Sequence, residues 1–167
     1  MRRICLLLLI IGGMSTLSAQ TRTFILLRHA EKDTSTAGSA QMTADPPLTA
    51  KGKERAARLL QELKAYQPDA IYSTNYIRTR STVQPLAEKF GMNIETYDPK
   101  NLKAFAESLL AGKAGTTIVA GHSNTTPALV NLLIGENRYA PLDDSVYNQY
   151  WIITITAGKP EAKVVTY

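Results

Sequence analysis

The chain of 167 residues holds one cysteine, two histidines and one tryptophan, and it lacks any apolar run long enough to cross a bilayer. Its only thiol is Cys5, so the body of the chain has no disulfide, no cysteine nucleophile and no cysteine-ligated metal. The uninterrupted apolar stretch Ile4 to Ile11 falls well short of the roughly 20 residues of a spanning helix. Lysines and arginines are scattered among acids and gather into no basic stripe, which argues against nucleic acid as a partner. No Gly-x-Ser-x-Gly elbow is present, which weakens a Ser-His-Asp hydrolase reading. There is also no internal repeat and no linker long enough to separate a pair of domains, so 167 residues with 44% hydrophobic content predict one core.

What is present begins with Arg2 and Arg3, the apolar run, and the small, weakly polar segment Ser15 to Ala19 before Gln20. That order reads as a secretory signal peptide over residues 1–19, cut after Ser18 or Ala19, followed by one domain over residues 20–167. Its removal takes away two arginines and no acids, so the formal charge falls from +5 to +3. The expectation is an exported protein, periplasmic or secreted, with no stable membrane anchor after cleavage, acting as a monomer or weak oligomer.

After the signal, strand and helix patterns alternate. Short apolar strands are predicted at Thr23–Leu27, Asp69–Ser73, Met92–Tyr97 and Thr116–Ala120. Helices are predicted at Ala50–Ala65, capped by Thr49, at Ile77–Phe90 closed by Gly91, at Leu102–Ala111, and at Thr125–Ile134 ending at Gly135. Ala30 to Pro47 reads as a long loop, and Tyr150–Thr156 and Lys163–Tyr167 as strands joined by the turn AGKP. This pattern predicts a three-layer α/β/α sandwich: a mostly parallel sheet, helices on both faces, and an antiparallel edge at the C-terminus.

In such folds ligands bind outside the carboxyl ends of the strands. Arg28 and His29 follow the first strand, the segment STNYIRTR (Ser73–Arg80) follows the second, and GHSNTT (Gly121–Thr126) follows the strand Thr116–Ala120. Taken singly, each of these residues reads as ordinary surface or packing. Together, two histidines and at least two arginines at one sheet edge make a cationic pocket that repels itself unless a dianion such as phosphate occupies it. Zinc fits less well, because the histidines lack a compact ligand spacing and the arginines repel a cation.

Four blocks in this order, FILLRHAEK, DPPLTAKGKERAARLL, IYSTNYIRTRSTVQPLA and IVAGHSNTTPALVNLL, resemble the histidine phosphatase superfamily, the phosphoglycerate-mutase-like proteins. The resemblance spans nearly all of residues 20–167 and is closest in size to the compact phosphohistidine phosphatases. It implies that His29 is the nucleophile that becomes phosphorylated, and that Arg28 and Arg78 hold the phosphoryl group. It makes His122 the second histidine of the pocket, catalytic and phosphate-binding at once. Arg80 competes with Arg78 on spacing, and Thr82, four residues beyond Arg78, favours Arg78. Ala30 stands where the family commonly has glycine. Neither a metal nor another cofactor is implied.

The proton donor is left open by the resemblance. Mutase-type members use a glutamate from an insertion after the second-arginine block, where this chain offers Glu95 and Asp98. Acid-phosphatase-type members carry aspartate after the second histidine, where this chain has Ser123. Glu31, Asp45 and Asp144 are further carboxylates in loops. The expected function is hydrolysis of a small phosphate monoester or a phosphorylated sugar of the cell envelope through phosphorylated His29. The alternatives are a mutase-like phosphotransferase and a non-catalytic phosphate-binding module.

Overall fold

A computed structural model of the protein describes residues 21–35, 44–113 and 115–167. The signal peptide expected over residues 1–19, and the middle of the loop expected between Ala30 and Pro47, lie outside the described residues. Ten elements follow in chain order: β1 (Thr21–Arg28), α1 (Ala50–Leu63), β2 (Ala70–Ser73), α2 (Ile77–Phe90), β3 (Ile94–Thr96), α3 (Leu102–Ala111), β4 (Gly115–Gly121), α4 (Thr125–Ile134), β5 (Gln149–Thr156) and β6 (Lys159–Thr166). The strands form one sheet in the order β3-β2-β4-β1-β5-β6. β3, β2, β4 and β1 run parallel, and β5 and β6 join antiparallel.

Alternation along the central strands explains the three layers. In β1, Phe24 and Leu26 point to one face, where they meet Leu109 of α3 and Leu129, Val130 and Leu133 of α4. Ile25 and Leu27 point to the other, against Leu59 and Leu63 of α1 and Val83 and Leu86 of α2. Strands buried on both faces need continuous apolar sequence, which FILL supplies. Each such side chain taken from water stabilises the fold by about 1.5–3 kcal/mol.

Local signals set the helix ends. Thr49 caps α1 by accepting from the Gly52 amide at 3.0 Å. Gly91 and Gly135 close α2 and α4 at φ 63° and 70°, a left-handed conformation that costs glycine little. The C-terminal hairpin departs from the expectation. Ala157 and Gly158, at φ 51° and 78°, form a two-residue turn, and Thr156 pairs with Lys159. Two positive φ angles match the twist of the flanking strands, so the strand begins at Lys159 rather than Lys163. Pro160 is tolerated because β6 is an edge strand.

Candidate active site

The sheet order places β4 between β2 and β1, so the segments that follow these three strands meet at one edge. Register does the fine positioning. Arg28, the last residue of β1, lies opposite Gly121, the last of β4, and the His29 amide donates to the Gly121 carbonyl at 2.9 Å. His29 and His122 are therefore neighbours, with ring centroids 5.5 Å apart and planes at 70°. Gly121 has no room for a side chain: a Cβ there would stand 2.7 Å from Thr126 Oγ1 and 2.8 Å from the Tyr97 hydroxyl.

Arg28 and His29 are buried, each only 4% exposed. His29 Nδ1 lies 2.7 Å from the Ala30 carbonyl, which can only accept, so Nδ1 carries the proton and Nε2 is left with its lone pair. Burial above all, joined by the charges of Arg28 and Arg78 and by His122, lowers the His29 pKa to about 3 despite the opposing Ala30 bond. Burial, then Arg78, Arg28 and Lys32, bring His122 down to about 4. Both rings are neutral at neutral pH.

The two arginines are held by different means. The Arg28 guanidinium donates through one terminal nitrogen to the carbonyls of Asp143, Asp144 and Val146 at 2.9, 3.2 and 2.9 Å. Its Cζ lies over the Tyr147 ring, 4.1 Å from the ring centre, a cation–π contact that suits the delocalised cation. Arg78, on the first turn of α2, bonds Asp45 at 3.2 Å and stacks on Tyr76 at 4.3 Å. Among the described residues the Nε–H of each arginine is buried without a partner. Two buried cationic donors beside an imidazole lone pair form a site whose chemistry suits an anion.

One threonine ties the halves together. Thr82 Oγ1 accepts from the buried Ala30 amide at 2.9 Å and donates to the Arg78 carbonyl at 2.7 Å, linking the turn after His29 to the helix that carries Arg78. Arg80 is half-buried.

Comparison with known proteins agrees with this geometry. The model of the histidine phosphatase superfamily, branch 1, matches residues 24–99, which include Arg28, His29 and Arg78. That matched segment is similar to the histidine phosphatase superfamily and makes up less than half of the chain. It is 39% identical over 70 residues to phosphoserine phosphatase 1 of Hydrogenobacter thermophilus, a match that covers 42% of this chain and spans a third of that relative's length (33%). The solved protein histidine phosphatase SixA, complexed with tungstate, superposes with a TM-score of 0.66 at 15% identity, over 86% of this chain and 96% of that one. Phosphoglycerate mutase from Bacillus anthracis gives 0.63 at 16% identity, over 89% and 94%. The phosphoglycerate-mutase-like sandwich is thus the fold of this chain.

Within this fold the four residues the sequence points to, Arg28, His29, Arg78 and His122, converge at one edge. Of the five open carboxylates, Asp45 and Asp144 reach the site arginines and none bonds an imidazole. Glu31 is forked onto Arg55 by two 2.8 Å bonds, with Lys51 at 3.6 Å, and anchors α1. Asp45 accepts from the Ile77 amide at 2.9 Å and so caps α2 from another loop. Glu95 and Asp98 are exposed, and Asp98 accepts from the Lys100 amide at 2.9 Å. Asp144 is 97% exposed and reaches Arg28 at 3.4 Å. Among the described residues no carboxylate bonds either imidazole. Asn124 caps α4, its side chain accepting from the Thr125 amide at 2.9 Å.

Sequence reasoning missed Tyr76 and Tyr147, which sandwich the site. Tyr76 stands edge-on to His122 at 5.1 Å, and the Tyr147 ring centre is 6.1 Å from that of His29. Tyr76 could have been noticed as an aromatic inside the STNYIRTR segment; Tyr147 carries no local signal.

Proposed function

We propose that this chain is a phosphatase that hydrolyses a small phosphate monoester through a phosphohistidine on His29. The observation that carries the reading is the pair of buried, unpartnered Nε–H donors of Arg28 and Arg78 beside a neutral His29 whose Nε2 has a free lone pair. A phosphoryl group accepts from both arginines and offers phosphorus to Nε2. The same donors remain in place as charge spreads over the equatorial oxygens in flight, with no reorganisation required at the moment of reaction. Neutrality of the ring at working pH is what makes it nucleophilic. Charge stabilisation by two guanidiniums and His122 supplies what a metal otherwise would, so turnover persists in chelator.

A groove of about 400 Å³ lined by Asn75, Tyr76, Asp98 and Lys100 opens beside the Tyr76 ring and suits a small leaving group. Export to the periplasm or medium, as a monomer or weak oligomer, rests on the sequence of residues 1–19 and belongs to the same proposal. The test is hydrolysis of 4-nitrophenyl phosphate. His29→Ala should lose turnover while remaining folded, and turnover unchanged in that variant would remove the nucleophile assignment.

A further inference from the structure

A phosphatase also needs a proton for the departing alkoxide, and among the described residues no carboxylate bonds either imidazole. The hydrogen bonds around His122 point to another source. Its Nε2 is 3.0 Å from Thr74 Oγ1, which is in turn 2.9 Å from Thr79 Oγ1. Thr79 Oγ1 lies 3.0 and 2.9 Å from the carbonyls of Thr74 and Tyr76. Carbonyls only accept, so the Thr79 proton points to them and its oxygen must accept from Thr74. The Thr74 proton is thereby spent, and Thr74 accepts from His122. The chain of donors runs one way, from His122 Nε2–H to Thr74 to Thr79 to a carbonyl. The opposite direction would leave two carbonyls facing a hydroxyl oxygen at 2.9–3.0 Å with no proton between them. His122 is therefore the Nε2–H tautomer, and Nδ1 is its free nitrogen, with no partner among the described residues.

We propose that His122 Nδ1 carries the leaving-group proton, with Thr74 and Thr79 as positioning residues that hold its tautomer. The inference rests on the phosphohistidine reading and adds to it a donor that is not a carboxylate. The ester enters as its monoanion and passes its phosphoryl proton to Nδ1. His29 Nε2 then forms the N–P bond as the P–O bond breaks, and the electron pair leaving with the ester oxygen takes the proton from His122. The alcohol departs neutral, and His122 returns to its starting form. In the second half His122 Nδ1 accepts a proton from the attacking water, whose oxygen bonds phosphorus as the P–N bond breaks and its electron pair returns to His29 Nε2. His122 then passes the proton to the departing phosphate, which leaves as the monoanion. The groups that bear on the His122 charge are Arg78 of α2, Arg28 of β1, Lys32 and Asp45 of the intervening loop, and His29. Burial, with the arginines and Lys32, keeps the ring neutral until an anion arrives.

Leaving-group dependence tests this. A positioned proton donor contributes about 10²–10⁴-fold when the leaving group is a poor one. His122→Asn should therefore lose about that much on an alkyl phosphate and far less on 4-nitrophenyl phosphate. Thr74→Val should show the same bias more weakly, and Thr74→Ser should restore the wild-type ratio. With the alkyl ester, wild-type kcat/KM should fall above about pH 6, where a phosphate ester loses its second proton. Equal losses on both substrates in both variants, or a flat profile to pH 8, would overturn the proposal. Those outcomes leave the phosphohistidine reading standing, whereas a wild-type enzyme that never carries phosphate on His29 removes both.

Discussion

Replacing Thr82 by valine changes the shape of the site little and removes one hydroxyl. That hydroxyl accepts from the Ala30 amide at 2.9 Å and donates to the Arg78 carbonyl at 2.7 Å, and both Thr82 and Ala30 are fully buried. Valine nearly matches the volume, so no cavity adds to the cost. What remains is a buried N–H without a partner, a loss of about 1–3 kcal/mol. At roughly 2–4 °C per kcal/mol for a domain of this size, the melting temperature should fall measurably, and the urea midpoint should fall with an unchanged slope. Activity should fall too, because the turn after His29 and the helix that carries Arg78 lose their shared tie. Thr82→Ser keeps the hydroxyl and should recover most of both. A valine variant with the wild-type urea midpoint would show that the Ala30 amide has another partner, and the proposed link between nucleophile and arginine would be wrong.

Acid should destabilise the fold through the histidines. The folded-state pKa of His29, about 3, lies below its ordinary 6.5, so the unfolded chain binds more protons below pH 6.5. Stability is full above pH 6.5 and is lost as pH falls towards 3. His29 alone accounts for roughly 2 kcal/mol between pH 8 and pH 5, and His122, at about 4, acts in the same direction. Urea midpoints should show a flatter pH dependence in His29→Gln, and an unchanged slope there would contradict the burial argument. Arg78→Ala should lower both substrate binding and rate, since its charge acts on ground state and transition state alike. Arg80→Ala should do far less, and the reverse ranking in steady-state kinetics would mean that the wrong arginine has been assigned.

Much of this architecture is legible in the residue pattern, for local reasons. The spans Ile77–Phe90, Leu102–Ala111 and Thr125–Ile134 are helices as expected, because apolar periodicity and the glycines that close two of them act over a few residues. The histidines are found because strand ends are easy to locate and a parallel sheet gathers them at one edge. The hairpin turn lies at AGKP as expected, but the early start of β6 at Lys159 escaped because Ala157 adopts a positive φ that its identity does not advertise. The clamp on Arg28 escaped for a different reason: its partners are backbone carbonyls 115 to 118 residues away, which have no side-chain signature. Asp45 and Glu31 looked like free carboxylates because their partners, at α2 and on Arg55, are near only in the folded chain. The tautomer of His122 depends on two threonines and two carbonyls, and only coordinates bring these together.

The central claim is that His29 takes the phosphoryl group and releases it to water. Brief mixing with ³²P-labelled substrate in chelator, followed by an alkaline quench and peptide mapping, tests it directly, because a phosphoramidate survives base and is lost in acid. The account predicts base-stable, acid-labile label on the peptide that contains His29, appearing and decaying at rates compatible with turnover. Turnover that stops in chelator, with no such label under any quench, would contradict it.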